Sequence, residues 1–194
     1  SSKYVALQDY RNDPQANPLK TPSGKIEIYS ERLATIAQEW TLPDPKWDKI
    51  TPIPEYVPVR EGIDGDPELL KKYPLVLTSF HTKGRTHSTY HSVAVLREAV
   101  PDTLWINPLD ATSRGIQDGD LLEIFNDRGR VRMAAKVTPR IRPGVVSMPQ
   151  GAWRKTNKDG VDVGGCINTL TTMHPSPLSK GNPQLTNLCE VKKV

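Results

Sequence analysis

Residues 79–92, SFHTKGRTHSTYHS, gather His81, His87 and His91 with Lys83, Gly84, Arg85 and a run of hydroxyl side chains. They follow directly on the apolar run YPLVLT. Such a loop can hold a metal, hold an anion, or stitch itself together through side-chain to backbone hydrogen bonds. Zinc fits poorly. His87 and His91 stand four apart, but a metalloprotease helix needs a glutamate directly after the first histidine, and Ser88 is there. His81 could add a third ligand, yet the loop supplies no carboxylate to orient it. An anion fits better, because a loop that leaves a buried strand and enters a helix presents backbone N–H groups at the positive end of the helix dipole. Gly84 allows close approach, Thr82, Thr86, Ser88 and Thr89 add hydroxyls, Arg85 can fork two donors onto phosphate oxygens, and Lys83 and His87 add charge. Neither a Walker loop nor a dinucleotide glycine fingerprint is present, so the spacing does not name the anion.

The other polar groups are weaker singly. Asn107 and Asp110, in INPLDA, could form a base pocket, since a carboxylate accepting two N–H groups suits a guanine edge; capping a helix would explain Asp110 equally well. Gln150 and Gly151, and later Asn182 and Gln184, lie in amide-bearing loops able to donate and accept. As turn residues they need no ligand. Serines are plentiful, but there is no G-x-S-x-G and no paired-carboxylate pattern. The chain reads as a binding domain and not as a complete catalyst.

The elements that must position these groups read as short strands and turns. The chain has 194 residues, 36% hydrophobic and 25% charged, which suits a globular protein with one well-filled core. Its 18 prolines are roughly twice the usual share of ~5% and argue against long helices. The net charge of +4 comes from dispersed basic residues without runs or interleaved aromatics, which argues against nucleic acid. No apolar run is long enough to span a membrane. Cys166 and Cys189 cannot build a zinc or iron–sulfur site by themselves; two buried thiols, or a disulfide, account for them. The chain starts SSKY, without methionine, as a processed or excised piece would.

Alternation at Ile26 and Ile28 predicts a half-buried strand, and Ser30 a cap for a helix carrying Leu33, Ile36, Ala37 and Trp40. A proline-dense extended segment follows, then Asp66-Pro67 opens a short helix ending near Lys72. PLVLTS, TLWIN, LLEIFN, VRMAAKVT and VVSMP predict strands, with a helix around Val93–Val100 and a capped helical turn over PLDATSRG. The spacing points to a mainly β protein, a closed barrel with a few short helices.

Four stretches carry a resemblance to a known family: TPSGKIEIYSERLA, YPLVLTSFHTKGRTHSTYHSV, WINPLDATSRGIQDGDLLEIFNDRGRVRMAAKVTPRIRPGVVSMPQGAW and GNPQLTNL. Together they resemble the C-terminal part of molybdopterin oxidoreductases of the dimethyl sulfoxide reductase family. KDGVDVGGCINTLTTMHPSPLSKGNPQLTNLCEVKKV points within it to anaerobic dimethyl sulfoxide reductase catalytic subunits and selenate-reducing paralogues. The resemblance implies a six-stranded double-psi β-barrel over 73–194, with short peripheral helices and an N-terminal extension over 1–72. It implies a bis(molybdopterin guanine dinucleotide) cofactor with molybdenum. The contacts would come from Thr78, Ser79, His81, Arg85, His87 and Ser88, from Asn107 and Asp110 on the nucleotide side, and from Gln150, Gly151, Asn182 and Gln184. The metal ligand, and a [4Fe–4S] cluster in the parent enzyme, would lie in earlier regions, so this piece alone would reduce no substrate. The parent's other domains, an iron–sulfur subunit and a membrane-anchor subunit would be its partners, on the periplasmic side of the inner membrane. A stand-alone barrel acting as a protein–protein or substrate-recognition module is the competing reading. Such a module has no use for converging arginine, histidine and hydroxyl groups.

Overall fold

The computed structural model describes residues 3–182 and 185–194, which separate into compact units at 1–57 and 58–194. The first unit carries helices α1 (Gln8–Asn12) and α2 (Glu31–Glu39). The hydroxyl of Ser30 accepts from the Leu33 N–H, capping α2 as its sequence predicts. The predicted strand around Ile26 and Ile28 does not form. Local turns take its backbone groups: the Thr21 hydroxyl donates to the Lys25 carbonyl, and the Ser23 N–H to Glu27. Both isoleucines stand exposed, and among the described residues of this unit only Asp48 is buried.

The second unit is a six-stranded closed barrel. Its strands are β1 (Leu75–Phe80), β2 (Thr103–Ile106), β3 (Leu121–Asn126), β4 (Gly129–Val137), β5 (Val145–Pro149) and β6 (Asn187–Lys193). Around the barrel they run β1-β5-β2-β4-β3-β6, and β6 closes on β1. β1–β5 and β2–β4 are parallel; the other pairs are antiparallel. Strand alternation sends Leu75, Leu77, Leu104, Ile106, Leu122, Ile124, Val131, Met133, Val146 and Met148 into one core. Helix α3 (Pro67–Lys72) starts from Asp66, whose carboxylate accepts the Glu68 and Leu69 N–H groups. Just before it, Glu61 grips Arg128 with both oxygens (2.6 and 2.8 Å) and also accepts the Leu188 N–H.

Helix α4 (Ala94–Ala99) enters β2, and α5 (Pro108–Ser113) leaves it. Asn107, not Asp110, caps α5, its side-chain oxygen accepting from Leu109 N–H at 2.9 Å. Proline at the first helical position puts the cap one residue before it. Gly115, at φ +64°, ends the turn in the left-handed conformation its sequence predicts.

Barrel and first unit should respond differently to truncation. Leu77→Ala is expected to cost about 2–5 kcal/mol of unfolding free energy, and Ile28→Ala no more than about 0.5. Urea denaturation followed by circular dichroism checks both.

Candidate functional site

Parallel pairing of β1 and β5 delivers the loop after Phe80 and the loop after Pro149 to the same end of the barrel. The Gln150 N–H donates to the Phe80 carbonyl, continuing the ladder by one residue. There the Gln150 amide nitrogen lies 2.9 Å from His81 Nε2 and 3.4 Å from His87 Nδ1, and the two imidazoles meet edge-on at 5.1 Å. A cleft of about 240 Å³ opens beside them, lined by His87, Ser88, Gln150, Gly151, Ala152, Cys166, Ile167 and Asn168.

Under this cleft lies Arg85. Its side chain is only 4% exposed, and its donors are directed into the protein. Nε and Nη2 both donate to the Gln150 carbonyl, at 3.0 and 2.9 Å, while Nη1 donates to Asp102 at 2.8 Å and reaches His91 Nδ1 at 3.3 Å. One guanidinium therefore joins the loop after β1, the residue pair before β2 and the loop after β5. His91 must accept from it, which fixes a neutral ring protonated on Nε2. Burial, and then the Arg85 and Arg97 charges, hold the His91 pKa below its ordinary 6.5 despite the opposing pull of Asp102.

The loop between β1 and α4 is folded on itself. Thr86 and Thr89 exchange backbone hydrogen bonds around a tight turn, with His87 at φ +49°. The Gly84, His91 and Val93 N–H groups are also taken, by Thr82, Ser88 and Tyr90. Five backbone donors, at residues 84, 86, 89, 91 and 93, are thus used within the loop, and α4 has only six residues. Gly151, at φ +87°, lets this loop seat: a Cβ there would stand 1.9 Å from the His87 carbonyl oxygen.

At the opposite end of β5 lie Asn107 and Asp110. The Asn107 amide donates to the Ile141 carbonyl at 2.7 Å, and Asp110 Oδ2 accepts from Gly144 N–H at 2.8 Å. Among the described residues Asp110 Oδ1 accepts no hydrogen bond. Gly144 immediately precedes β5 and Gln150 immediately follows it, so the two polar centres are about 20 Å apart at ~3.3 Å per residue.

Residues 75–188 match the family described as Molydopterin dinucleotide binding domain. The chain belongs to that family. It is 58% identical over 191 residues to dimethyl sulfoxide reductase DmsA of Escherichia coli, a match covering 98% of this chain and 23% of the relative. It is 36% identical over 200 residues to trimethylamine-N-oxide reductase 1 of the same organism, covering 98% of this chain and 22% of that protein. The solved structure of acetylene hydratase from Pelobacter acetylenicus superposes with a TM-score of 0.72 at 25% identity, over 94% of this chain and 25% of the other. The chain thus spans about a quarter of the length of the proteins it matches. The neighbour named a hydratase shows that this fold does not by itself fix a reaction class.

Within the dinucleotide-binding domain, the structure brings His81, His87, Ser88, Gln150 and Gly151 together at one end, with Arg85 beneath them. Asn107 and Asp110 meet at the other. Thr78 and Ser79 are half-buried within β1, paired in register with Ser147 and Met148. Asn182 is exposed beyond the turn in which Ser176 N–H donates to the Gly181 carbonyl, and among the described residues it makes no hydrogen bond to either centre; Gln184 lies outside the described residues. Sequence reasoning missed Ala152 and the wall formed by Cys166, Ile167 and Asn168, as well as Asp102, the counter-ion of Arg85. A larger groove of about 660 Å³ is lined by Arg97, Glu98, Asp102, Arg132, Gly164 and Gly165 among others. Apart from Asp102, which it shares with the Arg85 pair, it contains nothing of these centres, so the smaller cleft is the better candidate.

Two outcomes follow. Gly151→Ala should destabilise the domain by more than about 2 kcal/mol in urea, because the new methyl meets backbone at a positive φ. His91, with its pKa lowered on folding, adds no pH dependence above 6.5. Below 6.5 the unfolded chain takes up the proton first, so stability falls with pH until the folded-state pKa is passed. His91→Asn should lack that part of the fall, as thermal melts stepped downward from neutral pH will show.

Proposed function

We propose that the chain binds molybdopterin guanine dinucleotide along the sector where β5 joins its two polar centres, as one domain of a molybdenum-dependent reductase. The carrying observation is the geometry of β5. Amides and imidazoles stand at one end, an amide and a carboxylate with a free oxygen at the other, at the reach of an extended dinucleotide. This donor set fits the cofactor: Asp110 Oδ1 can accept the N–H groups of a guanine edge, and the cleft offers paired amide donors and acceptors. When bound, the molybdenum cofactor supplies the two-electron chemistry; the chain supplies position and hydrogen bonding. Arg85 acts here as a positioning residue, setting the Gln150 loop from below.

In the whole protein the reaction is oxygen-atom transfer from a sulfoxide, an amine N-oxide or selenate. The named activities of the relatives that match over nearly the whole of this chain support the sulfoxide and N-oxide cases. Its partners are further domains, one carrying a [4Fe–4S] cluster, an iron–sulfur subunit and a membrane-anchor subunit, placed on the periplasmic side of the inner membrane. Among the described residues no helix is long and apolar enough to cross a membrane.

Titration calorimetry with guanosine and adenosine diphosphates tests the assignment. The chain should prefer the guanine nucleotide about tenfold, or ~1.4 kcal/mol. Asp110→Asn keeps an oxygen for Gly144 but replaces the free one with a donor, and should abolish the preference. Equal affinities for both nucleotides in both proteins would contradict the assignment.

A further inference from the structure

We propose that a second groove of the barrel unit, apart from the cleft, docks an extended polypeptide segment, supplied by the part of the parent protein that this chain does not span. The inference rests on the reading of the chain as one domain of a larger reductase, and it names an interface for that domain.

The groove, of about 660 Å³, takes its lining from α4, the start of β3, β4 and the loop 163–165. Two buried polar groups in that lining have no partner among the described residues. Asp102 gives Oδ2 to Arg85, while its Oδ1 is buried and accepts no hydrogen bond. Gly165 is buried as well, and neither its N–H nor its carbonyl is bonded. Buried polar groups are almost always paired, so this surface calls for a donor at the carboxylate and a partner for the Gly165 peptide group. An extended segment supplies both, its backbone pairing with Gly165 and a side-chain or backbone N–H reaching Asp102. With φ at +85° and a would-be Cβ only 3.2 Å from the Met133 methyl, position 165 requires glycine, which leaves its backbone open to a close approach.

The charges select the class of partner. Arg132 is answered by Glu123 at 3.0 Å and Asp102 by Arg85 at 2.8 Å, while Arg97 and Glu98 are adjacent in α4 and opposite in sign. No surplus of charge among these residues would draw nucleic acid or an anionic lipid headgroup. Leu121 and Val163, exposed at 49% and 43%, share the lining with the buried Met133. Apolar side chains beside arginine and methionine are what the centre of a protein interface presents. The source of the segment follows from the relatives: DmsA matches 98% of this chain with 23% of its own length, so most of such a protein is polypeptide outside this domain. Because Asp102 also holds Arg85, the docked segment stands one carboxylate away from the Gln150 loop.

Hydrogen exchange at the Gly165 amide, read by mass spectrometry in the 194-residue chain and in the full-length parent protein, tests the docking. Exchange should be slower in the parent by about tenfold or more. Leu121→Lys and Val163→Lys, at exposed positions, should leave the melting of the 194-residue chain unchanged and restore fast exchange in the parent. Irradiation of the parent with Val163 replaced by the photo-reactive p-benzoylphenylalanine should join that position to a peptide of the same polypeptide beyond these 194 residues. Equal exchange in the two proteins, or protection that survives both lysine substitutions, would overturn the docking. A cross-link to a second copy, to another subunit or to none would overturn the occupant. A preserved guanine preference at Asp110 beside any of these failures would sink this inference alone and leave the dinucleotide reading standing.

Discussion

One buried guanidinium organises the candidate site. Taking a charge out of water costs several kcal/mol unless the interior replaces its partners. Arg85 finds replacements in three segments at once: the Asp102 carboxylate, the Gln150 carbonyl and the ring nitrogen of His91. Each would be left without its donor if the others moved. The loop after β1, the entry to β2 and the loop after β5 are therefore set in one arrangement before any ligand arrives. A second buried charge does the same for the facing wall, where Asp162 collects four donors from residues 155–169. The cleft lies between two walls, each held by a buried charged side chain, and its lining contains no lysine, arginine, aspartate or glutamate.

The barrel turns this local order into a longer site. Because β5 is parallel to β1 and antiparallel to β2, it carries the Gln150 loop at one end and meets the Asn107–Asp110 turn at the other. A short strand packed into the core through Val146 and Met148 is a stiff spacer, and its length sets the distance between the two centres. The relatives' different named activities, reductase and hydratase, are consistent with a domain that supplies this frame and leaves the reaction to what surrounds it.

Much of the frame was legible in the sequence. Strand alternation in VRMAAKVT, the apolar run PLVLT, the Asp66-Pro67 helix start and the Gly115 stop are local signals, and each appears where the sequence predicts it. The loop from 79 to 92 was legible as a polar, donor-rich loop after a buried strand, but not in its hydrogen bonding. Residue types show that Arg85 can fork onto a phosphate; they do not show that Asp102 and a carbonyl 65 residues away already hold it. Of the two roles left open for Asp110, the cap falls to Asn107, because Asn107 stands one residue before the helix-starting proline and its oxygen takes the Leu109 N–H. The strand around Ile26 failed because alternation needs a partner strand, which no local pattern reveals. The Cys166–Asn168 wall was invisible for the same reason: only the fold brings it opposite Gln150.

The claim on which the account rests is that the site is built before its ligand, with Arg85 as an internal strut. Hydrogen exchange at the Arg85 Nε–H of the unliganded chain, followed by nitrogen-resolved NMR at neutral pH, tests it most directly. The account predicts a slowly exchanging proton, protected by its bond to the Gln150 carbonyl and unchanged when nucleotide is added. Exchange as fast as that of the exposed arginines, slowing only on ligand addition, would show instead that Arg85 is a free arm waiting for an anion.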